Sequence, residues 1–371
     1  MRTVDGHAAF VPALLPPMIQ FDVPLVLALS RADAALSELS GLGRQLPNPH
    51  LLIAPYLRRE AVLSSRIEGT QASLADLLAD EAGQSSQVPA DDVLEVRNYV
   101  AALEYGIVRL QSLPLSLRLV RELHEKLLQR VRGERATPGR FRRSQNWIGP
   151  PGSTLATASY VPPPPGEMKQ ALGGWERFLH RRDELPDLVQ CALMHEHFEA
   201  IHPFLDGNGR VGRLLITLFL IERERLSQPL LYLSEYIERE RSDYYACLRR
   251  IRTHGDWAGW LHYFLAGVRW SARRAAVQAR ELMDLSERMR RKVQDSPKAL
   301  ALVDELFVNP HINTARVKTR LGVSDPTARA ALAELERAGL IQETSGRQWG
   351  RQYLARGVLR AIEKPSHDQG D

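Results

Sequence analysis

The segment HPFLDGNGRVGR, residues 202–213, places one histidine, one aspartate, one asparagine, two arginines and three glycines within twelve residues. Glycines allow consecutive backbone N–H groups to converge on one point, which is a geometry that binds anions. The apolar sequence RVGRLLITLFLIERE predicts a buried helix whose N-terminus adds about half a positive charge. Arg210 and Arg213 are three apart and lie near one face of that helix. The pattern predicts a polyphosphate site, where Asp206 could hold a divalent cation and His202 could take a proton.

Other interpretations compete for the same residues. The glycine spacing also fits the dinucleotide-binding pattern G-x-G-x-x-G, but that pattern needs a preceding strand, and LPDLVQCALMHEHFEAIH has helical apolar spacing. A Walker loop needs Lys and then Ser or Thr after its last glycine, and no such pair follows. His195 and His197 could bind zinc, but they are two apart and point to different faces of a helix. We expect His195 to be a packed or surface residue. A plain turn between helices is the alternative to an anion site.

Composition narrows the class of protein. No stretch approaches the roughly 18 apolar residues of a membrane span, and the first residues lack a basic-then-apolar signal pattern. The sequence has two cysteines, Cys191 and Cys247, so we expect no disulfide framework and a cytoplasmic location. The formal net charge of +5 permits a nucleic-acid partner without requiring one. We expect no membrane partner.

Apolar spacing predicts helices over most of residues 20–110 and 115–265. The stretch NWIGPPGSTLATASYVPPPP interrupts them, and its Pro and Gly content predicts a loop or short hairpin that carries Trp147 and Tyr160. An Arg-rich helix over 268–294 is expected to lead away from the core. It should end before Pro297, because the residue preceding a proline is pushed out of the helical region.

The segment 202–213 resembles the signature of Fic-domain (Fido) proteins, H-x-F-x-D/E-G-N-G-R-x-x-R, and matches it at every specified position. The helical regions and the Pro/Gly-rich hairpin also resemble the catalytic domain and flap of that family, so the resemblance extends to most of the chain. It implies a mostly α fold, with a Fic-type helical core and a short β-hairpin flap. Members of this family typically transfer AMP from ATP to a Ser, Thr or Tyr hydroxyl of a target protein.

The resemblance implies roles for the residues of the signature. His202 would deprotonate the target hydroxyl, and Phe204 would anchor the loop in the core. Asp206 would bind Mg²⁺. Arg210 would steady the α- and β-phosphates, and Arg213 would pair with the γ-phosphate. The other positions predicted to bind the nucleotide are Gly207, Asn208, Gly209, Val211, Gly212 and Tyr245. For Tyr245 a helix-packing role is nearly as good an interpretation.

A second resemblance lies upstream, in SSRIEGTQ. One class of Fic proteins carries an inhibitory helix with Ser or Thr, three further residues, Glu, and then Gly or Asn. Ser64, Glu68 and Gly69 fit this pattern. Ser64 and Glu68 share a helix face at a spacing of four, and Gly69 can end the helix. We expect Glu68 to pair with Arg213 across the nucleotide pocket and so displace the γ-phosphate. An ordinary surface glutamate is the alternative.

The C-terminal region is predicted to be a separate winged helix–turn–helix. ALALVDELF, NTARVKTRLG and SDPTARAALAELERAGL predict three helices, and LIQET and RQYLAR can pair as a two-stranded wing. Residues 298–360 contain ten Lys or Arg and six Asp or Glu. The cations Arg316, Lys318, Arg320 and Arg329 could contact DNA phosphates. A protein-docking module is the alternative.

These patterns divide the chain into five parts. We predict an N-terminal helical region with the inhibitory helix over 1–110, a Fic catalytic domain over 111–268 and a connecting helix over 269–297. A winged helix–turn–helix over 298–362 and a tail over 363–371 follow. The chain is interpreted as an autoinhibited protein adenylyltransferase that uses ATP and Mg²⁺, with duplex DNA and a homodimer as further partners. The alternatives are a DNA-binding regulator whose core senses nucleotide, a transferase of another nucleotide, and an enzyme that removes AMP.

Overall fold

The computed structural model describes residues 2–4, 6–45, 50–84, 88–131, 137–150, 152–182 and 184–363. The fold is mostly helical, as the sequence predicts. The described helices are α1 Val23–Gln45, α2 His50–Ile67, α3 Leu74–Glu81, α4 Ala90–Arg109, α5 Leu117–Leu127, α6 Pro165–Leu179, α7 Asp187–Ile201, α8 Asn208–Glu222, α9 Ser234–Arg239, α10 Arg241–His254, α11 Trp257–Lys292, α12 Pro297–Val308, α13 Thr314–Leu321, α14 Asp325–Arg337 and α15 Arg356–Glu363. None of these helices combines the length and the apolar character needed to cross a membrane.

The described strands are short. They are β1 Arg2–Val4, β2 His7–Ala9, β3 His311–Asn313, β4 Gln342–Glu343 and β5 Gln352–Leu354. β1 pairs with β2, and β3, β5 and β4 form an antiparallel sheet in that order. In the Pro/Gly-rich stretch a single antiparallel bridge joins Ile148 to Tyr160. That bridge is the short hairpin that the sequence predicts between the central helices.

Helices α7 and α8 form the centre of the molecule. Every residue of α7 from Leu188 to Ile201 is buried. In α8 nearly every residue from Asn208 to Leu220 is buried as well. A helix that is buried on all sides lies inside a larger fold. The segment 202–207 therefore joins two rigid, packed helices, and this position fixes the direction of its side chains.

Helix α11 differs from the expectation of a helix that leads away from the core. It runs without a break from Trp257 to Lys292, across the predicted boundary between residues 268 and 269. Its buried alanines, Ala272, Ala275, Ala276 and Ala279, recur at a spacing of three and four along one face. Small side chains at that spacing let the helix pack along α1, which is its main neighbour. The helix ends before Pro297, as predicted.

The C-terminal helices and hairpin follow the predicted order. Ser296 caps α12, and Asn313 caps α13. Strand β3 and helix α15 were not predicted from the sequence. The unit is joined to the N-terminal region, because Asn309 Nδ2 donates to the Leu78 carbonyl at 2.9 Å, and to α11, because Gln278 Nε2 donates to the Ile362 carbonyl at 2.9 Å. Apart from Glu363, the predicted tail lies outside the described residues.

Candidate functional site

The loop between α7 and α8 is held in a single conformation by its own side chains. Helix α7 ends at Ile201, and His202 follows in the left-handed region with φ 48° and ψ 62°. Asn208 spans the loop: its Oδ1 accepts from Phe204 N–H at 2.8 Å and its Nδ2 donates to the Phe204 carbonyl at 2.9 Å. Gly207 adopts φ +76°, which is a conformation that favours glycine. Asn208 therefore shapes the loop with its side chain instead of facing the cleft.

His124 of α5 packs against this loop and donates a hydrogen bond to it. Its ring stacks on Phe204 with a centroid distance of 3.7 Å and an interplanar angle of 5°. The Gly139 N–H donates to Nδ1 at 2.9 Å, so Nε2 carries the proton that is donated to the Asp206 carbonyl at 3.0 Å. Burial lowers the pKa of His124 to about 4, so the ring is neutral near pH 7. His124 was not predicted as a site residue, because a histidine within an amphipathic helix carries no local signal of a backbone partner.

His202 is a neutral imidazole at the mouth of the site. Burial, followed by the positive charges of Arg252 and Arg142, lowers the pKa of His202 to about 4. Its Nδ1 has no hydrogen-bond partner among the described residues. A neutral imidazole with a lone pair can accept a proton from a hydroxyl group. The side chain is half-buried.

Both arginines of the signature are buried and engaged. Arg213 Nε donates to Ser64 Oγ at 2.8 Å, and its Nη2 donates to Glu68 Oε1 at 2.7 Å. Arg210 Nη1 lies 3.5 Å from Glu95 Oε2, and Arg210 Nη2 lies 3.7 Å from an oxygen of Asp206. The side chains of Arg210 and Arg213 are only 4% and 2% exposed. Both cations lie at the N-terminal end of α8, where the helix dipole also favours an anion.

The expected contact between Glu68 and Arg213 is present, although 145 residues separate them. Helix α2 ends at Ile67, and Gly69 follows with φ +101°, as expected of a glycine that ends a helix. A Cβ built on Gly209 would lie 2.4 Å from Glu68 Oε1. The carboxylate therefore lies against the first turn of α8, in the space where an anion would meet the backbone.

Glu68 is held as an anion. Burial raises the pKa of Glu68, but the charge and hydrogen bond of Arg213, followed by the charge of Arg210, lower it below its ordinary value overall. The neighbouring segment is fixed as well. Thr70 Oγ1 donates to Glu95 Oε2 at 2.7 Å, and Arg241 Nη2 donates to the Ile67 carbonyl at 2.8 Å. Glu95 thus contacts both Thr70, which follows the end of α2, and Arg210, and this dual contact left no signal in the sequence.

Two predicted nucleotide-binding residues of α8 face away from the cleft. Val211 is fully buried in the core, and its N–H donates to the Gly207 carbonyl at 3.0 Å. The Gly212 carbonyl contacts His195 Nδ1 at 3.1 Å. A helix turns about 100° per residue, so positions that follow Arg210 directly point to the interior. Val211 and Gly212 therefore pack in the interior, and their part in nucleotide binding stays a prediction.

Two roles were expected for Tyr245, nucleotide binding and helix packing. In the structure the packing role belongs to its neighbour Tyr244. Tyr244 is 1% exposed, and its hydroxyl lies 2.9 Å from His195 Nε2. His195 is fully buried, so of the two expected positions, packed or at the surface, it takes the packed one. Tyr245 is 46% exposed and lies beside Arg241, whose guanidinium is 6.0 Å from the ring centroid. Burial, followed by the negative charge of Glu68, raises the pKa of Tyr245. Tyr245 therefore lies partly exposed and near Glu68.

Asp206 is the exposed carboxylate of the site. Its side chain is 48% exposed, and its Oδ1 accepts from Gly207 N–H at 2.6 Å. Within the part of the chain that the structure describes, no group of three or more His, Cys, Asp or Glu side chains is arranged to hold a metal ion. A zinc site built on His195 and His197 is therefore not supported among these residues. A single carboxylate suits Mg²⁺ that is otherwise held by substrate phosphates and water.

Two family models match the chain. The Fic/DOC family N-terminal model matches residues 26–108, and the Fic/DOC family model matches residues 114–220. Protein adenylyltransferase Fic of Drosophila grimshawi is 31% identical over 169 residues, which are 45% of this chain and 31% of the relative. The corresponding protein of Drosophila melanogaster is 30% identical over the same shares. The chain spans about a third of the length of these curated relatives.

Solved structures show the same fold. A Fic family protein from Desulfovibrio desulfuricans G20 has a TM-score of 0.62 at 22% identity, over 92% of this chain and 98% of that one. A Fic domain containing signaling protein from Bacteroides thetaiotaomicron has a TM-score of 0.55 at 19% identity, over 68% and 96%. Residues 134–508 of Fic-1 from C. elegans have a TM-score of 0.54 at 22% identity, over 71% and 75%.

Proposed function

Because the chain belongs to the Fic/DOC family, we propose that it is a protein adenylyltransferase that moves AMP from ATP to a hydroxyl group of a target protein. The observation that supports this best is the convergence of a neutral His202 with the two buried arginines at the N-terminus of α8. The target oxygen attacks the α-phosphorus, its proton passes to His202, and pyrophosphate leaves. Such a reaction depends on positioning and charge neutralisation.

The proposed roles follow from the placement of each side chain. The backbone of residues 207–209 and Arg210 hold the inner phosphates, and Arg213 holds the γ-phosphate. The exposed carboxylate of Asp206 would hold Mg²⁺, which neutralises phosphate charge when bound. Tyr245 borders the nucleoside. His202 accepts the proton of the target hydroxyl.

We further propose that the chain is autoinhibited by Glu68. The carboxylate occupies Arg213, and it also fills the space beside Gly209. ATP can then bind without its γ-phosphate on Arg213, but its α-phosphorus is out of line with the attacking oxygen. Ser64 supports this state by accepting from the same guanidinium. Gly69 ends the helix so that Glu68 lies at its tip.

The transferred group is tested with two labelled forms of ATP. Glu68→Gly is incubated with a cell lysate and either α-phosphate-labelled or γ-phosphate-labelled ATP. We expect protein labelling from the α label only, and none when His202→Ala is added. Labelling from the γ label would indicate a kinase.

The alternative functions are tested in the same assay. Competition by unlabelled GTP, CTP or UTP that exceeds competition by ATP would favour a transferase of another nucleotide. Release of AMP from a labelled target by the wild type would favour AMP removal.

Duplex DNA is the second candidate partner, through residues 298–362. The observation that favours it is the β4–β5 hairpin, whose tip carries Arg347, Trp349 and Arg351, with Trp349 79% exposed. Basic side chains beside an exposed aromatic ring suit a nucleic acid. In this proposal the Fic core senses nucleotide and the C-terminal unit binds DNA. Absence of duplex binding at low salt would leave the docking of a protein as the role of this unit.

A homodimer and a cytoplasmic location complete the proposal. Val23, Val26 and Leu27 of α1 are exposed apolar side chains at helical spacing, and they form the candidate surface for a second copy. Sedimentation of Val26→Glu against the wild type tests this surface. Cys191 and Cys247 are buried free thiols, which is consistent with a reducing compartment.

A further inference from the structure

Arg142 is a buried cation whose partners are backbone carbonyls. It is 1% exposed, and none of the described acidic side chains forms an ion pair with it. Its Nε donates to the His202 carbonyl at 3.0 Å, and its Nη1 donates to the Ser144 carbonyl at 3.1 Å. Its Nη2 donates to the carbonyls of Pro163 and Ile201. A buried charge is costly unless it is fully hydrogen-bonded, and each of the three guanidinium nitrogens of Arg142 donates to a backbone carbonyl.

Three consecutive carbonyls of the His202 turn face this one residue. Besides the carbonyls of Ile201 and His202, the Pro203 carbonyl accepts from the Arg142 backbone N–H at 2.9 Å. Carbonyls at the end of a helix lack intrahelical partners and carry the negative end of the helix dipole. A cation placed there satisfies them and holds His202 in its left-handed conformation, which a non-glycine residue adopts only when the surroundings impose it.

The remaining two carbonyls belong to the hairpin beside the site. Ser144 precedes the arm that carries Ile148, and Pro163 follows the arm that carries Tyr160. The hairpin is also tied to α7, because Tyr160 Oη donates to the Ala200 carbonyl at 2.6 Å. One guanidinium therefore fixes both arms of the hairpin relative to the turn of His202. Its planar fork reaches several acceptors at fixed angles, which an ammonium group cannot reproduce.

We propose that Arg142 is a positioning residue for the transfer reaction: it fixes the His202 turn against both arms of the hairpin, so that the imidazole meets the target hydroxyl in line with the α-phosphorus. This inference rests on the proposed function. Arg142 makes no contact with the arginines that hold phosphate, and so it should affect the chemical step and not ATP binding.

The positive charge of Arg142 also supports the role of His202 as a base, because it disfavours a proton on the imidazole. Burial lowers the pKa of Arg142 to about 10, so the guanidinium is still charged near pH 7. The charged groups that act on the His202 ring are Arg252 and Arg142, which disfavour a proton on it, and Glu68, which favours one. Arg142 thus supports a neutral base as well as its orientation.

The test compares two buried arginines in the Glu68→Gly background. Arg142→Lys keeps the charge and loses the fork. Arg223→Lys is the control, because the Arg223 side chain is only 4% exposed and also donates to backbone carbonyls, those of Leu179 and Arg181 at 2.8 and 2.7 Å, at the far end of α8, although it also lies 3.8 Å from Asp187. We expect Arg142→Lys to lower kcat by about a hundredfold, with KM for ATP within about twofold of the parent. Arg223→Lys should lower the thermal midpoint and leave kcat within about twofold.

A second measurement records the ring resonances of His202 in proteins that retain Glu68. It tests the proposal even where no AMP transfer is detected. The ring resonances of His202, assigned by their loss in His202→Ala, should shift in Arg142→Lys and stay in place in Arg223→Lys. An unchanged kcat together with unmoved His202 resonances would overturn the proposal and leave Arg142 a purely stabilising residue. If Glu68→Gly itself shows no transfer, the proposed function fails, and the resonances alone decide the role of Arg142.

Discussion

The candidate site and the C-terminal unit both contain clustered cations, but they hold them in different ways. Arg210 and Arg213 are almost fully buried, and their acidic partners Glu95 and Glu68 come from distant segments of the chain. In the C-terminal unit, Arg316 and Arg320 pair with Glu305 of the same unit, and their side chains are 24% and 60% exposed. Lys318 and Arg329 lie near Asp325 in the same way.

The difference shows that an excess of positive charge does not by itself indicate a binding surface. Exposed pairs contribute little to stability and are weakened by salt. Arg213 is buried while the Glu68 side chain is 36% exposed, so the pair costs the hydration of the cation and is weak as a stabilising device. The pair of Glu68 and Arg213 is therefore better explained as a contact that an anionic ligand can replace. The four cations that the sequence analysis assigned to DNA are already partnered, and the hairpin tip is the better candidate.

The largest expected effect concerns the base of the site. In the Glu68→Gly background, His202→Ala should lower AMP transfer by about a hundred- to ten-thousand-fold, because a general base contributes that much. Nucleotide affinity, measured by calorimetry, should change little, since the arginines remain. Transfer close to that of the parent would show that another group takes the proton.

Removing the positive charges at the tip of the β4–β5 hairpin tests whether the C-terminal unit binds DNA there. Replacing Arg347 and Arg351 by Ala should reduce the slope of log affinity against log salt by about two, because each phosphate contact contributes about 0.9. Binding to duplex DNA at low salt should fall by about tenfold. The control is Lys318→Ala with Arg320→Ala, whose charges are already paired. A larger loss in that control would assign the DNA surface to α13.

A smaller effect is expected from the hydroxyl that shares Arg213 with Glu68. Ser64→Ala removes the acceptor of Arg213 Nε and should raise basal transfer of the wild type by about two- to tenfold, since one hydrogen bond is worth about 1 kcal/mol. Ser65→Ala is the matched control, because Ser65 Oγ is buried and has no hydrogen-bond partner among the described residues. Equal rates for the two variants would remove Ser64 from the inhibitory contact.

The smallest expected effect is the change in the rate of AMP transfer by the wild type as pH is varied. The pKa of Glu68 is lowered, so its ion pair is fully formed above the ordinary carboxylate value near 4.3 and is lost only as pH falls through the lowered pKa. Wild-type transfer should therefore stay at its inhibited level from about pH 5 to pH 8. A rise in wild-type transfer between pH 7 and pH 5, absent from Glu68→Gly, would mean that the carboxylate is protonated in that range.

How far the sequence predicts this molecule depends on the kind of contact. The loop at 202–207 and the helix after it could be read from residue types, because glycine and apolar patterns act locally. The contact of Glu68 with Arg213 required a resemblance, since nothing local brings them together. The interior contacts of Val211 and Gly212 were not predicted, and their part in nucleotide binding stays a prediction. His124 and Arg142 were missed because their partners are backbone groups, which leave no pattern of side chains.

The most direct test of the account measures AMP transfer by four proteins: the wild type, Glu68→Gly, Arg213→Ala and the double variant. Glu68→Gly should exceed the wild type by about a hundredfold, because ATP can then place its γ-phosphate on Arg213 and align its α-phosphorus. Adding Arg213→Ala should cancel that gain, and Arg213→Ala alone should be as inactive as the double variant. A rate for Glu68→Gly no higher than that of the wild type would contradict the account.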